Sequence, residues 1–246
     1  MGFLSQRLMA VAEMVPPGSK VADIGCDHAY LSIYLARHGI ADRVIACDIN
    51  RGPVEIAKAN IEDSGCSDKI EVRLCDGLSG IENGEADCVV IAGMGGKLMA
   101  RIIEEGKVAL GSVKQLILEP QSEVGSFRHF LEETGYMIVS EDMVYEDGKY
   151  YPIIKAVPGQ MNLNEEVYYR YGKVLLREEH PVLHQFLLEE RDFFGRLLEE
   201  LSANKELPKV QNRIDEVRRD LAMCVKALTM VSEPGIFEGE RVIDSR

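Results

Sequence analysis

Two rhythms of apolar and polar positions alternate through residues 1–158, and a third takes over after them. Apolar Leu4, Leu8, Met9, Val11, Ala12 and Met14 form a helical stripe over residues 3–15, closed by Pro16-Pro17-Gly18. Val21-Ala22-Asp23-Ile24 is a short apolar strand that breaks at Gly25, and a helix resumes with Leu31, Tyr34 and Leu35 on one face. Strand, tight turn and helix open a βαβ unit. Residues 43–48 give a second strand, and residues 53–64 a helix with Pro53 in its first turn and Gly65 closing it. Residues 69–74 alternate like a strand. Residues 86–92 are an apolar strand of the kind found at the centre of a parallel sheet. The pattern then predicts a helix from Lys97 to about Gly106, a fifth strand over 115–119 and a helix over 122–133. Strands over 136–145 and 150–157 flank the turn signal Glu146-Asp147-Gly148-Lys149.

The predicted fold is α/β: a Rossmann-like, doubly wound and mostly parallel sheet with one antiparallel strand. Past Pro158 glycine becomes sparse and heptads appear. Leu183, Leu187, Phe194, Leu197 and Leu201 make one seam, interrupted by polar Glu190. Val210, Ile214, Val217, Leu221, Cys224, Leu228 and Val231 make a second, after a turn at 202–208. Residues 159–246 are therefore expected to form a helical, coiled-coil hairpin domain, and residues 1–158 the ligand-binding domain.

Composition changes this picture little. Hydrophobic residues make up 46% of 246, enough for a sizeable core. No apolar run approaches the roughly 18 residues of a membrane span, and the N-terminus lacks the basic-then-apolar plan of a secretory signal. Six cysteines without a C-x-x-C pair argue against a disulfide framework or zinc site and fit a reducing cytoplasm. A net charge of −13 speaks against a nucleic-acid partner as a sum, yet leaves room for a local basic face.

Candidate chemistry gathers at the carboxyl ends of the predicted strands, where a doubly wound sheet binds its ligand. Asp48 ends the second strand about 20 residues past the first turn, the place of an acid that grips a ribose diol, with Ile49 and Asn50 beside it. The turn discriminates between cofactors. A dinucleotide fingerprint would have glycine at position 27 and a small residue at 30; here Asp27 and Tyr30 stand there. Asp27 would repel a pyrophosphate and attract an ammonium group, such as the methionine end of S-adenosylmethionine. The alternative for Asp27 is a helix cap. Asp76 and Gly77 follow the third strand, where a carboxylate can meet an adenine amino group or cap the next segment. Ala92-Gly93-Met94-Gly95-Gly96 follow the fourth, with glycines that let a ligand approach the backbone. His28 lies at the mouth of the turn. Arg7, Glu119, Tyr150 and Tyr151 are candidates for the substrate side, the tyrosines by stacking on a base. No metal site is expected.

The runs D-I-G-x-D-H-A-Y-L over 23–31, A-G-M-G-G over 92–96 and E-D-G-K-Y-Y-P over 146–152 resemble the bacterial tRNA (adenine-22-N1)-methyltransferase family, over nearly the whole chain. The resemblance implies a class I methyltransferase fold, S-adenosyl-L-methionine as donor, tRNA as substrate and N1 of an adenine as acceptor. It implies that the helical C-terminal domain helps to hold the tRNA. On that basis Asp27, His28 and Tyr30 are the expected catalytic residues. Gly25, Asp27, Asp48–Asn50, Asp76, Gly77 and 92–95 are expected at the cofactor, and Arg7, Gly96, Glu119, Tyr150 and Tyr151 at the substrate. A cytoplasmic monomer is expected. Two departures stand out: Cys26 where members often have Ser, and Glu119 where Gln is usual before the proline. A methyltransferase acting on another RNA or a small molecule, and a non-catalytic cofactor-sensing protein, are the alternatives.

Overall fold

The computed structural model describes residues 4–203 and 208–232. The chain divides into two compact units, Met1–Asn162 and Leu163–Arg246. The first contains α1 (Gln6–Glu13), β1 (Ser19–Ile24), α2 (Tyr30–Arg37), β2 (Ala41–Asp48), α3 (Arg51–Ser64), β3 (Ile70–Leu74) and β4 (Cys88–Met94). It continues with α4 (Gly96–Glu105), α5 (Lys107–Leu110), β5 (Gln115–Pro120), α6 (Val124–Glu133), β6 (Tyr136–Glu146) and β7 (Lys149–Pro158).

The seven strands form one sheet in the order β3-β2-β1-β4-β5-β7-β6. Neighbours from β3 to β5 are parallel, and β7 runs antiparallel to both β5 and β6. This is the Rossmann-like sheet that the alternation of elements predicts. The strand order reverses between β1 and β4, which opens a crevice at their carboxyl ends.

Both faces of the sheet are covered, and this explains the unbroken apolar run of β4. Cys88 and Val90 pack with the α1–α3 layer, while Val89 and Ile91 pack with Met99, Ile102 and Phe127 of α4 and α6. β4 runs two residues further than the apolar pattern suggests, because a bulge at Gly93 carries the strand through Met94.

In the second unit α7 (Glu166–Tyr171) and α8 (Lys173–Arg177) precede the long helices α9 (Pro181–Ser202) and α10 (Pro208–Ser232). α9 and α10 pack together, with Leu183, Leu187, Phe194, Ile214, Val217, Cys224, Leu228 and Val231 of the two seams buried. The connection expected at 202–208 lies partly outside the described residues. Glu190, the polar break in the first seam, accepts hydrogen bonds from Arg170 at 3.0 Å and from the Tyr171 hydroxyl at 2.6 Å. No helix among the described residues is long and apolar enough to cross a membrane.

Candidate active site

The crevice begins at the bend after β1. The Gly25 and Cys26 N–H groups both donate to the Cys47 carbonyl, at 2.8 and 2.9 Å, so the bend is hooked to the end of β2. Gly25, Asp27 and Ala29 all have positive φ, at 76°, 49° and 60°. Two of them are not glycine, a degree of backbone strain characteristic of ligand-binding turns. A Cβ on Gly25 would stand 2.2 Å from the Met94 methyl, the movable end of a flexible side chain, so it is the left-handed conformation that calls for glycine.

Asp48 braces this bend. Its buried carboxylate accepts the Asp27 N–H at 3.2 Å and the Asn50 N–H at 2.9 Å. Asp27 itself points outward, its side chain 70% exposed, with Nε2 of His28 at 3.5 Å. The helix-cap alternative for Asp27 fails. The cap of α2 is Ala29, and no side chain caps that helix.

The facing wall is built on Glu119. Its Oε2 accepts both the Gly93 N–H and Nη1 of Arg7, each at 2.7 Å. The side chain is wholly buried, and its Oε1 has no hydrogen-bond partner among the described residues. Burial pushes the Glu119 carboxyl above the usual carboxylate range, against the pull of Arg7 and the Gly93 N–H. Arg7 also lies over the Tyr151 ring, 5.3 Å from its centroid.

Between these walls is a cleft of about 330 Å³. It brings together Arg7, Gly25, Asp27, His28, Tyr30, Ala92 and Gly93, all candidates from the sequence. The Tyr30 ring is 53% exposed and meets the His28 ring edge-on at 5.7 Å. Asp23 and Cys26 line the same cleft and were not expected there. Gln121 lines it too, at the end of the fifth strand, where its amide is a candidate for meeting the substrate base. Asp23 opens the D-I-G-x-D-H-A-Y-L run but sits inside an apolar strand, and the run alone gives it no place in the cleft. Its carboxylate accepts the Ser32 hydroxyl at 2.6 Å, and burial pushes it up to about 6.

Other candidates lie outside that cleft. Ile49 is exposed and Asn50 begins α3. Asp76 stands 3.5 Å from Nη2 of Arg101, and Gly77 turns against Ile102 with φ 55°. Gly95 and Gly96 are explained by packing, since a Cβ on either would stand 2.8 Å from Ser122. Tyr150 packs on Tyr145 across the hairpin at 4.6 Å, while Tyr151 reaches Arg7. Among the described residues no group of His, Cys, Asp and Glu is placed to hold a metal ion.

A methyltransferase-domain family model matches residues 4–154. The tRNA (adenine(22)-N(1))-methyltransferase of Bacillus subtilis is 35% identical over 219 residues, covering 87% of this chain and 92% of that one. The chain belongs to the tRNA (adenine(22)-N(1))-methyltransferase family. Solved members share the fold along the chain. The crystal structure of the B. subtilis m1A22 tRNA methyltransferase TrmK covers 92% of this chain and 99% of its own, at 33% identity and TM-score 0.80. The Mycoplasma capricolum TrmK complex with the cofactor product S-adenosyl-homocysteine covers 94% and 100%, at 26% identity and TM-score 0.78.

Proposed function

We propose that the protein methylates N1 of adenine 22 in tRNA, with S-adenosyl-L-methionine as donor, in the cytoplasm. The observation that carries this reading is the acidic bend. A carboxylate is held outward on a strained turn at the switch point, where a phosphate-binding fold would present only backbone amides. The donor set suits a cationic ligand without phosphates: Asp27 at the mouth and Asp48 behind it.

When bound, the cofactor supplies an electrophilic methyl group on a positively charged sulfur. The chain supplies position and field. Asp27 would receive the ammonium group. Asp48 fixes the Asp27 amide of the turn and the Asn50 amide of its own loop, and would offer its remaining lone pairs to a ribose. Tyr30 presents an exposed ring on which a flipped base can stack. Neutral adenine already has a lone pair on N1, so no general base is needed to expose it. The methylated base is a cation, and the site is suited to one. Arg7 is neutralised by Glu119, while Asp27 and Asp23 remain on the same cleft.

Incubating the protein with methyl-labelled S-adenosylmethionine and unmodified tRNA, then digesting to nucleosides, tests this. The expected product is labelled 1-methyladenosine. Label in N6-methyladenosine, or none in RNA, would overturn the proposal.

A further inference from the structure

The bend between β1 and α2 is held at one point by a side chain that belongs to neither element. Asp27 and Ala29 are left-handed, with φ at 49° and 60°, and His28 stands between them. Two non-glycine residues in that region, so close together, persist only where surrounding contacts over-determine the backbone. Neighbouring strands supply part of this. The Gly25 and Cys26 N–H groups donate to the Cys47 carbonyl, and Asp48 takes the Asp27 N–H. Within the bend the Ala29 N–H donates to the Cys26 carbonyl at 2.7 Å.

The His28 carbonyl is the group that these contacts leave over. The ladder of α2 starts at Ala29, whose carbonyl accepts the Ile33 N–H, and no backbone N–H among the described residues donates to the His28 carbonyl. Nδ2 of Asn60 does, at 2.9 Å. A carbonyl only accepts, so the NH2 side of the amide has to face it, and this settles the orientation of the amide. Asn60 lies in α3, 32 residues further along the chain, one turn past the buried Ala57 and next to the buried Ile61. Asparagine is a poor residue for a helix interior, where alanine or leucine favours the helix more. At this position the amide serves the bend and not the helix that carries it.

We infer that Asn60 is a positioning residue for S-adenosylmethionine: by holding the His28 carbonyl it keeps the bend in the shape that directs Asp27 into the cleft mouth. This rests on the reading of the bend as the seat of the cofactor's ammonium group. Asn60 is not among the residues that line the cleft, so it acts through His28. The peptide between His28 and Ala29 joins the two left-handed residues, and fixing its oxygen fixes the direction of both. Without that bond the bend spends part of its time in other shapes. Cofactor then binds only the fraction that is correctly formed, and the apparent Kd rises as that fraction falls. Saturating cofactor restores the bend, so the rate at saturation is kept.

The test compares the full wild-type chain with Asn60→Leu, which removes the donor at similar size and suits a helix better. Calorimetric Kd and KM for S-adenosylmethionine are expected to rise roughly tenfold, with kcat within about twofold and no fall in melting temperature. In cofactor-free protein the amides of residues 25–29 are expected to exchange hydrogen faster in the variant, while those of β2 and β4 keep their rates. Asn60→Gln keeps the donor on a longer arm and is expected to recover most of the affinity. An unchanged Kd in Asn60→Leu, or exchange no faster at the bend, would overturn the inference. So would a fall in kcat and melting temperature along with the rise in KM, or Asn60→Gln as weak as Asn60→Leu. The exchange readout needs no cofactor, so failure of the wild type to bind S-adenosylmethionine would count against the proposed function alone.

Discussion

Asp27 and Asp23 stand four residues apart and are held in opposite ways. Asp27 is exposed on a left-handed turn that Asn also tolerates, so Asp27→Asn removes charge while keeping shape. It is expected to leave the melting temperature unchanged and to weaken S-adenosylmethionine binding by about 1.5–3 kcal/mol, the worth of a charged hydrogen bond. Calorimetry on the variant checks this; an unchanged Kd would remove Asp27 from the site. Asp23 is buried and titrates near 6 in the folded chain against 3.8 as an isolated group. The folded state therefore binds the extra proton between those values. The contribution to stability is full below pH 3.8 and is lost as pH rises through about 6, a swing of about 3 kcal/mol. Denaturant unfolding from pH 4 to 7 is expected to show that loss in the wild type and a smaller one in Asp23→Asn, where the raised Glu119 carboxyl remains. Of these two acids only Asp27 was legible in the sequence, because its signal is local: a carboxylate where a fingerprint needs glycine. The raised value of Asp23 comes from neighbours that the fold supplies. The partner of Glu119 was equally hidden, since Arg7 lies 112 residues away along the chain.

Strands buried on both faces read as apolar runs, β3 at the sheet edge as an alternating one, and the succession of β1 to β5 along the chain followed from them. The bulge at Gly93 could not be read in the same way, because it depends on Glu119 reaching across from the next strand to take its N–H. The C-terminal heptads were equally plain, but Glu190 looked like a flaw in a seam. In the fold it is the acceptor for Arg170 and Tyr171 of α7, a helix too short to leave a periodic signature. The two views give opposite expectations for Glu190→Leu. Heptad logic alone would have it stabilise the hairpin. With the hydrogen bonds in place, the change takes the acceptor from the Tyr171 hydroxyl, while Arg170 keeps Asp220. Urea unfolding is expected to show a loss of about 2 kcal/mol. A gain in stability would show that the seam outweighs the polar contact.

The sheet unit carries the cleft, and we propose that the helical unit adds affinity for the RNA. Removing residues 163–246 is expected to leave S-adenosylmethionine binding intact while raising the Kd for tRNA. Loss of cofactor binding in a folded truncation would contradict that division. The net charge of −13 means that any phosphate contacts must be local, and no stripe of basic residues along the chain marks where they lie. The position methylated in the RNA was legible only through resemblance, because the shape of a folded tRNA is read by the surface of the whole molecule and by no single motif. The most direct measurement is therefore methyl incorporation into two otherwise identical tRNA transcripts, one with adenine at position 22 and one with guanine. Methylation of the first and none of the second is expected. Equal incorporation into both would contradict the assignment of adenine 22 as the acceptor.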